Sequence, residues 1–539
     1  MMERPLLISS IIDYAAQVHA GRQIISRDAT GAMHSYGYGD AAKRIARLAH
    51  GLTAMGVKPG DRIATVAWND YRHFELYYAI SGIGAVCHTV NPRLFHDQLI
   101  HIFNHAEDRF VFVDSTLFPL IEGLAPALNT IEGVIVMTDP AGMPESALDN
   151  LQCYEDLLDG QPETIDWPEL DERTAAALCY TSGTTGNPKG ALYTHRSTVL
   201  HALSSIALFD GWLTRRDVFM PAVPMFHVCA WGYPYVCPIV GASMAMPGPK
   251  LDGAGLYDMV ERAQVTMTAG VPTLWHGMMQ HMAETGARFS NLNGVMSGGA
   301  APSLQLIKDI EDHGVEFIQG WGLTETSPIG SATSPSSIPD NLEGEDKQKF
   351  KLKQGRPTFC VEFKLVDDDG VAAPHNGATA GEVLLRGNTV ISGYYNDAEA
   401  SEAAFDEDGW FRTGDIGVID EHGCLQLTDR AKDLIKSGGE WISSIDLEGA
   451  ALGHPAVAAA AAIAIPHPKW DERPLLVVVL AEGHSEDKES ILDYLRGAVA
   501  KFWVPDDIVF IDEMPLTATG KVSKLQLRQR FEGYKLPTA

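Results

Sequence analysis

Short runs of β-branched and aromatic residues recur along the chain, at 63–67, 110–113 and 134–137 among others. They alternate with longer stretches of helical period, such as 74–99, where apolar residues repeat as on one helix face. Such alternation predicts α/β layers with largely parallel sheets. Two polar stretches interrupt it. Residues 334–356 are rich in Ser, Pro and charge and read as a surface loop. Residues 427–437 (LTDRAKDLIKS) read as a charged joint between two apolar regions. The main boundary is placed there, dividing the chain into residues 1–430 and residues 431–539. The run 456–465 is ambiguous, because its alanines favour helix while its Val and Ile, with Pro466 behind them, permit a buried strand.

The 539 residues carry 41 basic and 70 acidic groups, a net charge of −29. That surface repels nucleic acid and anionic lipid at long range, so neither is an expected partner. Any bound anion must be held by local backbone N–H groups or a few placed Lys and Arg. The seven cysteines are irregularly spaced without a CxxC pair, which suits free thiols in a reducing cytoplasm. The first residues lack a signal-peptide pattern. The most apolar run is shorter than the roughly 18 residues that suggest a membrane span. A cytoplasmic protein without stable membrane insertion is therefore expected.

The stretch YTSGTTGNPKG (180–190) holds three glycines, four small hydroxyl residues and Lys189 behind an apolar run. Glycines let backbone N–H groups face one concavity, and hydroxyls and an ammonium add donors. Thr181, Ser182, Gly183, Thr184, Thr185, Gly186 and Lys189 are thus candidates for a polyphosphate cradle. The spacing is not that of a Walker A loop, which needs G-x-x-x-x-G-K-[ST].

Further along, GWGLTETSP (320–328) sets Trp321 between Gly320 and Gly322, where the ring could stack on a purine. Thr324 follows as a phosphate donor and Glu325 as a candidate Mg²⁺ ligand, since that ion prefers oxygen. SGGA (297–300) offers Gly299 and Ala300 to an adenine edge. Asp415 in WFRTGDIG (410–417) could accept from ribose hydroxyls. Lys521 in PLTATGKVSK (515–524) could steady charge that builds on a phosphate during transfer. PMFHVCAWG (224–232) places His227 and Trp231 four residues apart, on one face if the segment is helical.

With DRAKDLIKSGGEWIS (429–443), these motifs in this order resemble the adenylate-forming superfamily of acyl-CoA synthetases, luciferases and peptide-synthetase adenylation domains. The resemblance covers nearly the whole chain. It implies a large N-terminal domain of layered α/β subdomains and a small, mobile C-terminal α+β domain, often in a homodimer. It implies that Thr181 and Glu325 hold Mg²⁺, that Asp415 and Arg430 bind ribose, and that Lys521 is the catalytic lysine. His227 then sits between acid and phosphate, with Trp231, Gly298 and Pro328 on the acid side. Lys432 is the hinge. Gly438, Gly439, Glu440 and Trp441 line the thiol path, and Lys436, Glu472, Arg473 and Lys524 are candidate contacts for the CoA nucleotide.

The implied reaction joins a small carboxylic acid to CoA through an acyl-adenylate made from ATP. Within the superfamily, residues 90–114 and 226–235 resemble short- and medium-chain acyl-CoA ligases, in particular those that take the thioether acid 3-methylmercaptopropionate. A general medium-chain ligase, an enzyme that loads a carrier-protein thiol and a luciferase-like oxygenase share the same adenylation motifs. A non-enzymatic binding protein would have no use for Lys521 and Glu325 together.

Overall fold

The structure is a computed structural model. It describes every residue except 182–186, 368, 431, 438–439, 486 and 518–520, and the side chain of Glu440. Ser182, Gly183, Thr184, Thr185, Gly186, Gly438 and Gly439 therefore lie outside the described residues. Among the described residues, the strands form four sheets, of seven, nine, four and five strands.

The seven-stranded sheet is built on the apolar runs. Arg62–Val66 pairs in parallel with Val86–Thr89 and Phe110–Asp114, and the latter with Gly133–Met137. Helices Tyr71–Gly82 and His96–Ala106 make the crossovers. The stretch 74–99 is thus not one helix. A fully buried strand, Val86–Thr89, interrupts it, and a buried segment this short carries no period that tells strand from helix. Gly84, at φ +84°, turns the chain between helix and strand.

At one edge of this sheet, Ala175–Tyr180 and Gly190–Thr194 pair antiparallel. The glycine-rich stretch thus joins two strands of a hairpin. Helix His195–Leu208 begins only after the second strand, capped by the Thr194 side chain on the Ser197 N–H. That helix therefore does not start directly at the end of the glycine-rich stretch.

At the centre of the nine-stranded sheet, Val218–Pro221, Met267–Gly270, Gly294–Ser297 and Glu316–Gly322 run parallel. Their carboxyl ends come out along one rim, where open α/β sheets bind ligands. One hydrophobic cluster runs through both large sheets, from Ile63 and Phe112 to Phe219 and Ile318.

Val361–Val366, Gly381–Gly387, Phe411–Ile419 and Leu425–Arg430 form an antiparallel sheet packed on Trp321. Leu425–Arg430 is thus a strand, and the joint is shorter than 427–437. Just beyond it the N–H groups of Asp433 and Leu434 both donate to the Arg430 carbonyl, at 2.8 and 2.9 Å. Among the described residues from Ile435 on, the strands pair with one another. The ambiguous run resolves as strand Val457–His467. Helices Ser444–Ala451 and Lys524–Arg530 both pack on it, and alanines suit a strand crowded by helices. Residues 334–356 are more than a loop. They contain helix Gly344–Phe350, and the Lys351 ammonium behind it is buried against Glu311.

Candidate active site

A cavity of about 360 Å³ opens on the rim of the nine-stranded sheet. The hairpin supplies Thr181 and Lys189, and the ends of Gly294–Ser297 and Glu316–Gly322 supply Gly298, Gly299, Gly320, Trp321 and Gly322. Thr324, Glu325 and Pro328 follow on the next turn, His227 and Trp231 stand on the acid side, and Arg430 and Lys521 come from the joint and the tail. Segments as far apart in sequence as Thr181 and Lys521 thus meet on one cavity. Asp415 stands just behind the wall, and Ala300, next to Gly299, is exposed outside it.

Asp415 lies opposite Arg430 in the strand register, and its Oδ1 is 3.2 Å from Arg430 Nε. Its other oxygen accepts from the Trp321 indole N–H at 3.1 Å. Burial raises the Asp415 pKa, against the pull of Arg430 and the indole. Trp321 itself is 9 % exposed, edge-on to Phe363 with centroids 5.7 Å apart. The flanking glycines line the cavity and are also closely packed within the protein. A β-carbon on Gly320 would fall 2.3 Å from Met296 Cε, and one on Gly322 1.8 Å from the Pro328 carbonyl oxygen.

Glu325 Oε1 accepts from the Tyr394 hydroxyl at 2.7 Å. Burial raises the carboxyl pKa and that hydrogen bond opposes the rise. Lys189 Nζ sits 5.1 Å from the centre of the Tyr394 ring. Across the hairpin the Thr181 N–H donates to the Lys189 carbonyl at 2.9 Å, closing the base of the loop. Thr324 reaches the cavity while its carbonyl accepts from the Tyr193 hydroxyl at 2.6 Å.

Lys521 is half-buried, and its N–H donates to Thr517 Oγ1 at 3.2 Å. Burial, then repulsion from Arg430, lower its pKa to about 8, while Asp415 and Glu325 pull the other way. Its Nζ lies 3.8 Å from where a β-carbon on Gly299 would stand. A β-carbon there would make ordinary contact with the lysine, and what disfavours a larger residue at 299 is its left-handed φ of +78°.

The acid-side turn departs from the helical expectation. His227 is extended, and Val228, Cys229, Ala230 and Trp231 then take φ of 43, 52, 50 and 53°, with Gly232 at 77°. A left-handed turn thus carries His227 and Trp231 to the cavity. Each such L-residue costs about 1–2 kcal/mol, and strain of this kind persists where the surroundings over-determine it. Gly232 abuts the His201 ring, whose Nε2 accepts from the Ile329 N–H at 3.2 Å. Burial, and then Lys521, hold the His227 pKa down to about 3. The ring is therefore held in its neutral form at pH 7.

The proposed CoA contacts lie outside the cavity. Trp441 is 48 % exposed, with Lys436 Nζ 5.6 Å from its ring centre, and Glu472 accepts from the Lys436 N–H at 2.8 Å. Two of the expected surface cations are instead tied up inside the small domain. Arg473 pairs with Asp506 at 2.5 Å and also donates to Ser437 Oγ and to the Phe502 and Val504 carbonyls. Lys524 is paired with Glu448 at 2.7 Å and with Ser444. Lys432 is exposed, and its carbonyl accepts from Arg528 at 3.1 Å.

Sequence reasoning singled out neither Tyr394 nor Arg93, both of which line the cavity. Arg93 spreads its guanidinium over the Trp68 and Phe226 rings, 5.7 and 5.6 Å from their centres. Neither residue stands in a motif whose spacing would mark it.

The AMP-binding enzyme family matches residues 12–395, and the AMP-binding enzyme C-terminal domain matches residues 446–521. The chain is 45% identical over 533 residues to a 3-methylmercaptopropionyl-CoA ligase of Ruegeria lacuscaerulensis, covering 99% of this chain and 98% of the relative. It is 41% identical to a medium-chain-fatty-acid–CoA ligase of Ectopseudomonas oleovorans, covering 98% and 97%. Among solved structures, ATP-bound MatB from Rhodopseudomonas palustris superposes with a TM-score of 0.81 at 26% identity, covering 98% of this chain and 100% of that one. The anthranilate CoA ligase AuaEII in complex with anthranoyl-AMP shares the fold, with a TM-score of 0.86 at 24% identity over 98% and 99% of the chains. With its two-part match along the sequence and near-complete coverage of these relatives, the chain belongs to the AMP-binding enzyme family, the adenylate-forming superfamily.

Proposed function

We propose that this enzyme condenses a carboxylic acid with ATP to an acyl-adenylate and pyrophosphate, and then transfers the acyl group to CoA, releasing AMP. The observation that carries this reading is the meeting of Lys521 with Thr181, Glu325 and Arg430 on the cavity that His227 and Trp231 enter. In the first half-reaction a carboxylate oxygen attacks the α-phosphorus and the bond to pyrophosphate breaks. The carboxylate is already ionised at pH 7, so the neutral His227 has no proton to take. Lys521 steadies the negative charge that grows on the phosphate oxygens, an interaction stronger in the transition state than before it. Asp415, held by Trp321 and Arg430, receives the ribose hydroxyls, and the hairpin holds the outer phosphates.

Thr181 and Glu325 would hold a Mg²⁺ ion. Their hard oxygens face the cavity, and the buried Glu325 carboxyl, supported by Tyr394, suits a cation sharing phosphate oxygens. Such an ion supplies charge neutralisation on the departing pyrophosphate.

In the second half-reaction the CoA sulfur attacks the acyl carbon, the thiol proton is released, and AMP leaves. The segment 438–441 would serve that step. Both it and Lys521 belong to the part of the chain after residue 430, so rotation about Lys432 would exchange them. The acid is read as 3-methylmercaptopropionate or a related short- or medium-chain acid, which the ligases named above support. Among the described residues no helix is long and apolar enough to cross a membrane. A cytoplasmic homodimer completes the reading, supported by the family resemblance and by seven free, buried cysteines.

The test is nucleotide analysis with a panel of short acids, each with and without CoA. AMP and pyrophosphate, with acyl-CoA only when CoA is present, are expected. ADP as the product, or a strict need for a carrier protein in place of CoA, would overturn the proposal.

A further inference from the structure

The apolar end of the cavity contains a polar contact that adenylation does not use. Tyr233, the first residue of helix Tyr233–Val240, donates its hydroxyl to Met296 Sδ at 2.8 Å. Met296 belongs to strand Gly294–Ser297, and both side chains line the cavity while being 2 and 3 % exposed. Behind them lies the main hydrophobic cluster, to which both belong together with Phe209, Phe219 and Ile329.

Methionine has three rotatable side-chain bonds and normally adapts to whatever it faces. Here it is held at two atoms. The Tyr233 hydroxyl fixes the sulfur. The terminal methyl lies against Gly320, where even a β-carbon would come within 2.3 Å. Tyr233 is itself held, its ring stacked on Phe219 with centroids 3.9 Å apart. Burial raises its pKa, so the hydroxyl remains a donor. An acyl chain long enough to reach Met296 must break the O–H···S bond or push the methyl into the Gly320 backbone.

We propose that Met296, held by Tyr233, is the stop that sets how long an acid this enzyme accepts. The inference rests on the acid–CoA ligase reading above and adds its size limit. Tyr233 is a positioning residue that acts through Met296, and Met296 is the specificity-determining one.

The test is kcat/KM for AMP release along the straight-chain saturated acids from propionate to decanoate, for wild type and three variants. Met296→Ala removes three heavy atoms, so its optimum should move to acids longer by about two to three methylenes, each worth about tenfold or more in kcat/KM. Tyr233→Phe keeps the ring and frees the sulfur, and should flatten the fall-off beyond the wild-type optimum. Met296→Leu keeps most of the bulk without the sulfur acceptor and should flatten it likewise, which covers the case of an unstable alanine variant. Profiles of Tyr233→Phe and Met296→Leu that match wild type after uniform scaling overturn the assignment. If wild type releases AMP with none of these acids, nor with 3-methylmercaptopropionate, the ligase reading itself fails. AMP release with an unmoved profile sinks only the role of Met296 and Tyr233.

Discussion

The Trp321 indole N–H donates to Asp415 Oδ2 at 3.1 Å, joining two motifs 94 residues apart. Arg430 Nε approaches the other oxygen at 3.2 Å, so the carboxylate is aimed before any nucleotide arrives. Trp321→Phe removes one of the two supports while keeping an aromatic ring. A hydrogen bond to a charged group contributes about 1.5–3 kcal/mol, so the KM for ATP should rise by roughly tenfold or more with a smaller change in kcat. Steady-state kinetics with ATP varied measures this, and an unchanged KM would show that the bond does not orient Asp415.

Lys521→Ala should cost about 10²–10³ in the rate of acyl-adenylate formation, by analogy with the loss of one transition-state donor. Thioester formation from a preformed acyl-adenylate should be spared, because the ammonium serves only the pyrophosphate-releasing step. Single-turnover assays started from each side separate the two. Equal losses in both would mean that the lysine holds the domain in place and does not act on the phosphate.

The same group predicts a pH profile. Adenylation needs the ammonium form, which is present below the pKa of about 8 and lost above it. The kcat/KM for ATP should therefore fall on the alkaline side, with its midpoint near pH 8. The profile of kcat should break at higher pH, because bound triphosphate favours the charged amine. An alkaline limb that persists unchanged in Lys521→Arg, whose guanidinium does not titrate there, would assign the limb to another group.

Chelation with EDTA should abolish AMP release, and added Mg²⁺ should restore it. Glu325→Gln should raise the Mg²⁺ concentration needed for half-maximal rate, because a carboxamide offers a weaker oxygen ligand. Tyr394→Phe frees the Glu325 oxygen from its hydrogen bond, and should shift that concentration by less than Glu325→Gln does. A Mg²⁺ titration of the three proteins reads this out. Identical curves would remove Glu325 from the metal site.

Lys432→Pro places a ring with fixed φ at an exposed position in the turn where Asp433 and Leu434 donate to the Arg430 carbonyl. Adenylation should survive and thioester formation should be blocked, since only the second step needs the tail to present another face. Pyrophosphate exchange alongside acyl-CoA formation measures both, and parallel losses would argue against a hinge there.

The residue types and their spacing determined the chemistry of this protein. Glycines with hydroxyls and Lys189, a Thr324–Glu325 pair, Asp415 and Lys521 are legible because phosphate, ribose and developing charge can be met by few side chains. The α/β layering was legible too, since hydrophobic period follows from burying one face or two. Tertiary structure alone decided what depends on distant partners. The four residues of Val86–Thr89 are a strand because sheet neighbours on both sides supply their hydrogen bonds. His227 is neutral because the core closes over it and Lys521 lies near. The turn carrying Trp231 is left-handed against local preference, and Tyr394 and Arg93 reach the cavity from positions outside the phosphate- and ribose-binding motifs. Burial, charge proximity and long-range backbone pairing are properties of the assembled chain, so no window of sequence contains them.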